Sequence, residues 1–434
     1  MVPRPPLHWP KMTFPSLGLS SALVRAAGEL GFSTPTPIQA AAIPAILRGA
    51  DVLGLAQTGS GKTAAFALPL LQQLQGSPRQ TPRRVRALVL VPTRELAAQV
   101  GEVLRRLAQP LADAPAQPLK VAIAFGGVSI NPQLMSLRGG ADVVVATPGR
   151  LLDLVQHNAL RLGAVQTLVL DEADRLLDLG FADELDRVLA LLPPARQNLF
   201  FSATLPPAVQ ALAEGLLREP VRIEVPATPA NEPLIEQRVI QVDADRRTPL
   251  LRHLMQDNDW DRVLVFVATK YAAGLVADKL YKAGIYATAF HGDLSQGARR
   301  QALADFKDGR WDVLVTTDLA ARGIDIAQLA VVVNYDLPRS AVDYVHRIGR
   351  TGRAGESGLA VSFVSAGTEA HFRLIEKRQN LSLPREQIPG FESTEVAPAA
   401  TPGAGGIKGK RPSKKDKLRA AQAAALQAGE DRSE

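Results

Sequence analysis

The stretch Asp51-Val-Leu-Gly-Leu-Ala-Gln-Thr-Gly-Ser-Gly-Lys-Thr63 decides how this chain folds. A strand-like run ends at Leu55, a glycine-rich turn follows, and an amphipathic segment then places Phe66, Leu70 and Leu74 on one face. Strand, turn and helix in that order are the setting of a P-loop. Gly59 and Gly61 let backbone N–H groups wrap a phosphate at a helix N-terminus, with Thr58 and Ser60 in the same turn. Lys62 is expected to reach the β- and γ-phosphates of ATP, and Thr63 to ligate Mg²⁺. The general pattern Gly-x-x-x-x-Gly-Lys-Ser/Thr fails only at its first position, Ala56.

Outward from this loop, short apolar runs alternate with helix-like segments. Residues 87–91, 142–146 and 167–170 precede a pause; residues 262–267, 312–316 and 329–333 follow it. Unbroken β-branched runs between amphipathic segments argue for parallel sheets covered on both faces. The pause is Pro226-Ala-Thr-Pro-Ala-Asn-Glu-Pro233, three prolines in eight residues, which makes a stiff connector. The expected layout is α/β: a loose lead over 1–11, a first domain over 12–225, the linker over 226–233, a second domain over 234–385, and a disordered basic, Ala-rich tail over 386–434.

Composition narrows the functions. The 434 residues include no cysteine, which excludes disulfides, thiolate metal sites and cysteine nucleophiles. Six histidines, at 8, 157, 253, 291, 346 and 371, form no HxxxH pair, so no structural metal is expected. No apolar run reaches the roughly 18 residues of a membrane span, and the Pro-rich start has no signal-peptide core. A cytoplasmic protein without a membrane is the expectation. The formal charge is +7, yet residues 408–419 alone carry seven cations and one acid; the other 422 residues hold 43 basic and 42 acidic side chains. The basic character belongs to the tail.

A P-loop needs an acidic partner. Asp171-Glu-Ala-Asp174 follows the apolar run 167–170, at the carboxyl end of a strand where α/β sheets bind ligands. Asp171 is placed to hold Mg²⁺ and Glu172 to polarise the attacking water. Spelled in single letters, this tetrapeptide is DEAD, and the chain resembles a DEAD-box RNA helicase over about residues 12–385. The resemblance implies two tandem RecA-like domains, an RNA-stimulated ATPase, ATP and Mg²⁺, and RNA as partner. The stretch Phe125-Gly-Gly-Val-Ser-Ile-Asn-Pro-Gln133 looks most like the bacterial RhlE-type branch.

The family's other motifs appear in order. Gly31-Phe-Ser-Thr-Pro-Thr-Pro-Ile-Gln39 resembles the Q motif: Gln39 would pair with adenine, Phe32 would stack on it, and Phe14 matches the upstream aromatic. Pro92-Thr-Arg-Glu-Leu96, Gly126-Gly127 and Thr147-Pro-Gly-Arg150 match RNA-backbone contacts, implying Arg94, Gly126, Gly127, Thr147 and Arg150. Ser202-Ala-Thr204 resembles the motif that couples hydrolysis to strand separation, with Asp174 as its neighbour. His291-Gly-Asp-Leu-Ser-Gln-Gly-Ala-Arg299 adds Gly292 and Arg299 for RNA. Thr317-Asp-Leu-Ala-Ala-Arg-Gly-Ile-Asp325 adds Thr317 for RNA and Asp325 for the ribose of ATP. His346-Arg-Ile-Gly-Arg-Thr-Gly-Arg353 implies Arg350 and Arg353 as arginine fingers and His346 as a link to the DEAD loop. Each short motif alone also fits an ordinary loop or helix cap; their joint order carries the resemblance. Three functions stay open here: a helicase acting in ribosome assembly or RNA turnover (with ribosomal precursor particles or the RNA-decay machinery as partners), an ATP-dependent RNA clamp, and a DNA-stimulated translocase.

Overall fold

A computed structural model describes residues 12–57, 59–76, 82–109, 118–225, 235–321, 329–352 and 357–395. Its first half runs α1 (Ser21–Glu29), α2 (Pro37–Leu47), β1 (Val52–Leu55), α3 (Lys62–Gly76), β2 (Ala87–Leu90), α4 (Arg94–Ala108), β3 (Val121–Ala124), α5 (Asn131–Ser136), β4 (Val143–Ala146), α6 (Pro148–Gln156), β5 (Thr167–Leu170), α7 (Ala173–Asp178), α8 (Ala182–Ala190), β6 (Gln197–Ser202), α9 (Pro207–Leu216) and β7 (Val221–Glu224). The second half runs β8 (Ile235–Gln241), α10 (Arg247–Asp257), β9 (Val263–Phe266), α11 (Lys270–Lys282), β10 (Ala287–Phe290), α12 (Gln296–Lys307), β11 (Val313–Thr316), α13 (Asp318–Ala321), β12 (Val331–Asn334), α14 (Ala341–Ile348), β13 (Gly358–Val364), α15 (Glu369–Gln379) and β14 (Arg385–Glu386).

Each half is one parallel sheet between helices. The orders are β3-β4-β2-β5-β6-β1-β7 and β10-β11-β9-β12-β13-β8-β14. Counted within each half these orders are the same, so the molecule is an internal duplication in which β1 corresponds to β8, β2 to β9, β3 to β10 and β4 to β11.

The unbroken apolar runs have a simple cause. In β4, Val143 and Val145 join the core that holds Phe66 and Leu70 of α3, while Val144 and Ala146 join the core that holds Leu151 and Leu154 of α6. In β9, Val263 and Val265 face one core, Leu264 and Phe266 the other. Both faces of each strand are covered, so both need apolar side chains. Burying each such residue contributes about 1.5–3 kcal/mol, most of it offset by ordering the chain. All paired strands run parallel, so the loops after β1, β2, β4, β5 and β6 emerge at one edge of the sheet.

One boundary moves. Composition places residues 386–395 in the disordered tail, yet they close onto the second domain. Glu386 accepts a two-pronged bond from Arg238, with Nη2–Oε2 at 2.7 Å. Phe391 stacks on His253 with ring centroids 5.3 Å apart, and the Arg246 guanidinium lies over it. Asp243 then accepts from Ser393 Oγ, from Thr394 N and Oγ1, and from Glu395 N. These donors, led by the Ser393 hydroxyl, hold the Asp243 carboxyl well below the usual range. Composition alone hid this strap, because its contacts are made by polar residues that also suit a tail. The lead over 1–11, the linker over 226–233 and the tail beyond 395 lie outside the described residues. Among the described residues no helix is long and apolar enough to cross a membrane.

Candidate nucleotide and nucleic-acid site

The P-loop begins where β1 ends. Ala56 N donates to Ser202 O at 3.1 Å, tying the loop's first residue to the Ser-Ala-Thr segment. Gly59 and Gly61 have φ of +84° and +91°, the left-handed region that other residues resist. A Cβ on Gly61 would also come within 2.4 Å of Gln39 Nε2. Lys62 opens α3 and is buried; its ammonium donates to Ala56 O at 2.7 Å and Gln57 O at 3.1 Å, across the mouth of the loop. Ser60 Oγ is buried with no hydrogen-bond partner. Gln39 bridges Thr36 N, which donates to its Oε1 at 3.0 Å, and Gly61 O, which its Nε2 reaches at 3.1 Å. These two bonds leave one N–H and one oxygen lone pair of the amide unused, and Gln39 is 2% exposed. Phe32 is half-buried and packs against the first core. Phe14 is a correction: it is 3% exposed in the first core, because the turn Phe14–Leu17 points it inward, so it supports the Q motif and offers no ring to a base. Thr58 lies outside the described residues.

The four acidic-loop residues follow β5. Asp171 is 2% exposed, and its Oδ1 accepts Glu172 N at 3.0 Å. Burial pushes its pKa up to about 7; Lys62 opposes that shift and Glu172 adds to it. Glu172 itself is left-handed, at φ 51° and ψ 51°. Asp174 is also buried, and its Oδ2 accepts from Thr204 Oγ1 at 2.9 Å and Thr204 N at 3.2 Å. Ser202 Oγ donates to Thr204 O at 2.7 Å and so shapes the turn that presents Thr204.

Across a narrow crevice stands the second domain. Glu172, Asp174 and Ala203 line one wall; Asp343, His346 and Arg350 line the other. The crevice holds about 30 Å³, room for a water or two. His346 Nδ1 is buried there with no hydrogen-bond partner. Ion pairs span the domains. Arg175 Nη1 meets Asp343 Oδ1 at 3.4 Å, and Arg299 Nη2 meets Glu95 Oε1 at 2.6 Å. Arg347 was missed in the sequence: it is 2% exposed, forks onto Asp318 at 2.5 and 2.8 Å, bonds Asn334 and Asp336 O, and lies over Phe266. It fixes α14 to the sheet, and with it His346 and Arg350. Arg353 and Asp325 lie outside the described residues.

The expected RNA contacts divide. In the first domain Arg94, Gly126, Gly127, Thr147 and Arg150 come together. Arg94 Nη1 faces Gly127 O at 3.4 Å, Arg150 Nη2 donates to Val128 O at 2.8 Å, and Thr147 N donates to Ala124 O at 3.0 Å. Gly127 has φ +75°, and a Cβ there would lie 2.7 Å from Arg94 Nη1. Gln133 closes the same loop through Phe125 N and O, both at 3.1 Å. Arg94 is half-buried and Gly127 exposed, but Arg150 is 8% exposed and holds the loop from behind. In the second domain Gly292 is half-buried and Thr317 is 9% exposed. Arg299 is a second correction. At 4% exposed, paired with Glu95 and 4.5 Å over the Phe290 ring, it ties the domains together instead of offering a charge to RNA. A residue type announces a cation; only packing says whether another side chain has already taken it.

The duplication locates a further cation. Thr93 caps α4 by accepting Leu96 N, and Arg94 follows; Thr269 caps α11 by accepting Ala272 N, and Lys270 follows. These caps lie after the corresponding strands β2 and β9, so Lys270 is the second-domain counterpart of Arg94. In this register Leu88, Val89, Val91, Thr93, Ala97 and Val100 are matched by Leu264, Val265, Val267, Thr269, Ala273 and Val276, a short echo that gains its meaning from the shared strand order.

Two duplicated sheets, a P-loop and an acidic loop facing basic side chains across a crevice define a tandem RecA-like nucleotide-binding fold. Residues 36–212 match the DEAD/DEAH box helicase family and residues 246–355 the helicase conserved C-terminal domain. The chain is 43% identical over 384 residues to the ATP-dependent RNA helicase DeaD of Mycobacterium tuberculosis, covering 88% of this chain and 66% of that protein. It is 39% identical over 380 residues to the DEAD-box ATP-dependent RNA helicase CshA of Bacillus cereus, covering 88% and 70%. Saccharomyces cerevisiae Dbp5 bound to RNA and ADP BeF3 matches with a TM-score of 0.75 and 32% identity, over 86% of this chain and 95% of that one. The chain belongs to the DEAD-box helicase family. It spans just under two thirds of the mycobacterial relative's length.

Proposed function

We propose that this protein is an ATP-dependent RNA helicase that grips RNA by its backbone and locally parts short duplexes. The observation that carries this reading is the crevice in which Glu172 and Asp174 of one domain face His346 and Arg350 of the other. Lys62 leaves the carbonyls of Ala56 and Gln57 for the β- and γ-phosphates. Glu172 orients the attacking water, and Arg350 with Arg353 supplies positive charge where it develops, an effect worth roughly 10³–10⁵ in rate. Gln39 and Phe32 take the base, and Asp325 the ribose. The donor set fits Mg²⁺. Asp171 is a buried acid that a cation would ionise, Thr63 adds a hydroxyl, and no group of three or more acidic or histidine ligands gathers among the described residues. Mg²⁺ characteristically takes one or two carboxylates and lets the phosphates complete its shell, and bound there it neutralises charge on the β- and γ-oxygens.

Coupling runs through side chains. Thr204 reports the state of Asp174 to the crevice, where His346 waits with an open ring nitrogen. Arg94, Gly127, Thr147, Gly292 and Thr317 frame a backbone path that ignores base identity. The stretch 125–133 resembles the RhlE-type branch, while the relatives matched over most of the chain carry the names DeaD and CshA. The reading extends to cytoplasmic work in ribosome assembly or RNA turnover, which sequencing of RNAs crosslinked in cells would separate. The test is ATP turnover of the full chain with single-stranded RNA or DNA. Expected is stimulation by RNA, none by DNA, and loss of turnover in Lys62→Ala. Equal stimulation by DNA would favour a translocase; turnover surviving Lys62→Ala would overturn the P-loop role; turnover without strand separation would favour a clamp.

A further inference from the structure

The first turns of α11 leave an open groove of about 520 Å³ beside the loop that follows β10. Lys270, Tyr271, Leu275, His291 and Asp293 line it. Tyr271 is 80% exposed and Leu275 39% exposed, one helical turn apart on one face. A tyrosine ring this exposed, backed by a leucine, offers a flat apolar face with a polar tip. The groove adjoins the RNA path proposed above. A Cβ on Gly292 would lie 3.7 Å from Lys270 Cε and 3.9 Å from its ammonium. Lys270 itself is parked on Asp293 at 2.5 Å, a surface pair that a phosphate can replace.

We propose that Tyr271, backed by Leu275, is a stacking platform for one nucleobase of the bound RNA, next to the phosphate that Lys270 takes from Asp293. This rests on the RNA-binding reading and adds a base contact to a surface otherwise built for backbone. A ring suits this position because every base has a π-face, so grip increases without sequence selection. The groove's own charges nearly cancel: Lys270 faces Asp293, and Asp278 is paired with Lys282 at 2.7 Å. The platform's contribution should therefore be insensitive to salt.

The test is fluorescence anisotropy of the full chain with a labelled single-stranded RNA and with the same strand made abasic at one position after another. Tyr271→Ala should weaken binding about fivefold, the low end for one stacked base, and Tyr271→Phe should bind like the wild type. One abasic position should cost the wild type a similar factor and cost Tyr271→Ala nothing further, which marks the pair as coupled. The salt slope should stay unchanged in Tyr271→Ala but flatten by roughly 0.7 in Lys270→Ala. The proposal is overturned if Tyr271→Ala binds like the wild type, or loses the same factor at every abasic position. If the wild type binds no RNA at all, the proposed function falls with it.

Discussion

At the scale of single residues, the chemistry concentrates on Asp171 and Glu172. A left-handed Glu172 costs about 1–3 kcal/mol and persists only because neighbouring bonds over-determine it, here Asp171 Oδ1 before it and the α7 turn after it. Asp171 is held near a pKa of 7, against 3.8 for an ordinary aspartate. The sign follows from burial. A raised acid favours the folded state most while protonated, and that contribution is lost as the pH rises from about 4 through 7. A cation competes with that proton, so binding of Mg²⁺ with a non-hydrolysable ATP analogue should tighten between pH 6 and 8 and release a proton from Asp171. Calorimetry in buffers of different ionisation enthalpy measures this. The nucleotide's own titration is removed by comparison with Asp171→Asn, whose residual pH dependence should be smaller. Equal pH profiles for the two proteins would refute the account.

At the scale of elements, the end of β6 and the start of α7 act as one piece. Thr204 gives Asp174 two hydrogen bonds, and Ser202 sets the turn. Ser202→Ala with Thr204→Ala removes hydroxyls that touch neither Lys62 nor Asp171. ATP turnover should fall only a few-fold, while unwinding falls about tenfold or more, the size of a lost hydrogen bond to a carboxylate. Equal losses in a paired ATPase and duplex-separation assay would place these hydroxyls in catalysis instead. Much of this level was legible in the sequence. The runs at 87–91, 142–146, 167–170, 262–267 and 312–316 became strands because central parallel strands need apolar residues on both faces. The edge strands β3 and β10, Val-Ala-Ile-Ala and Ala-Thr-Ala-Phe, carry a weaker signal. The catalytic loops were legible because phosphate chemistry demands particular residues at fixed spacing. Arg299 and Phe14 depart from the expectation because a motif gives a residue's type but not the neighbour that buries it. Lys270 stands in Val267-Ala-Thr-Lys270, which answers Val91-Pro-Thr-Arg94, but so short an echo carries no weight until the shared strand order puts the two segments in register.

At the scale of the whole molecule, the cations divide between those already spent and those left over. Arg299 and Arg175 are spent between the domains on Glu95 and Asp343, and Arg347 on Asp318. With 43 basic and 42 acidic side chains outside residues 408–419, the folded core has little charge left to attract RNA from a distance. On the proposed function that attraction would fall to the cations of residues 408–419, which follow in the chain the strap ending at Glu395. The strap also decides how the tail must be removed. Truncation before residue 391 would strip Phe391, Ser393 and Thr394 from His253 and Asp243 and confuse loss of charge with loss of packing. Deleting residues 396–434 keeps those contacts. For single strands the slope of affinity against salt is roughly −0.7 per phosphate neutralised, so the seven cations of residues 408–419 contribute at most about −5, and Arg432, removed with them, about −0.7 more. The truncated protein should bind RNA more weakly at low salt, converge on the full chain at high salt, and keep its maximal RNA-stimulated ATPase rate. Binding curves across a salt series decide it: parallel slopes would mean the tail never reaches the RNA, and a fall in maximal rate would mean that it acts on the motor itself.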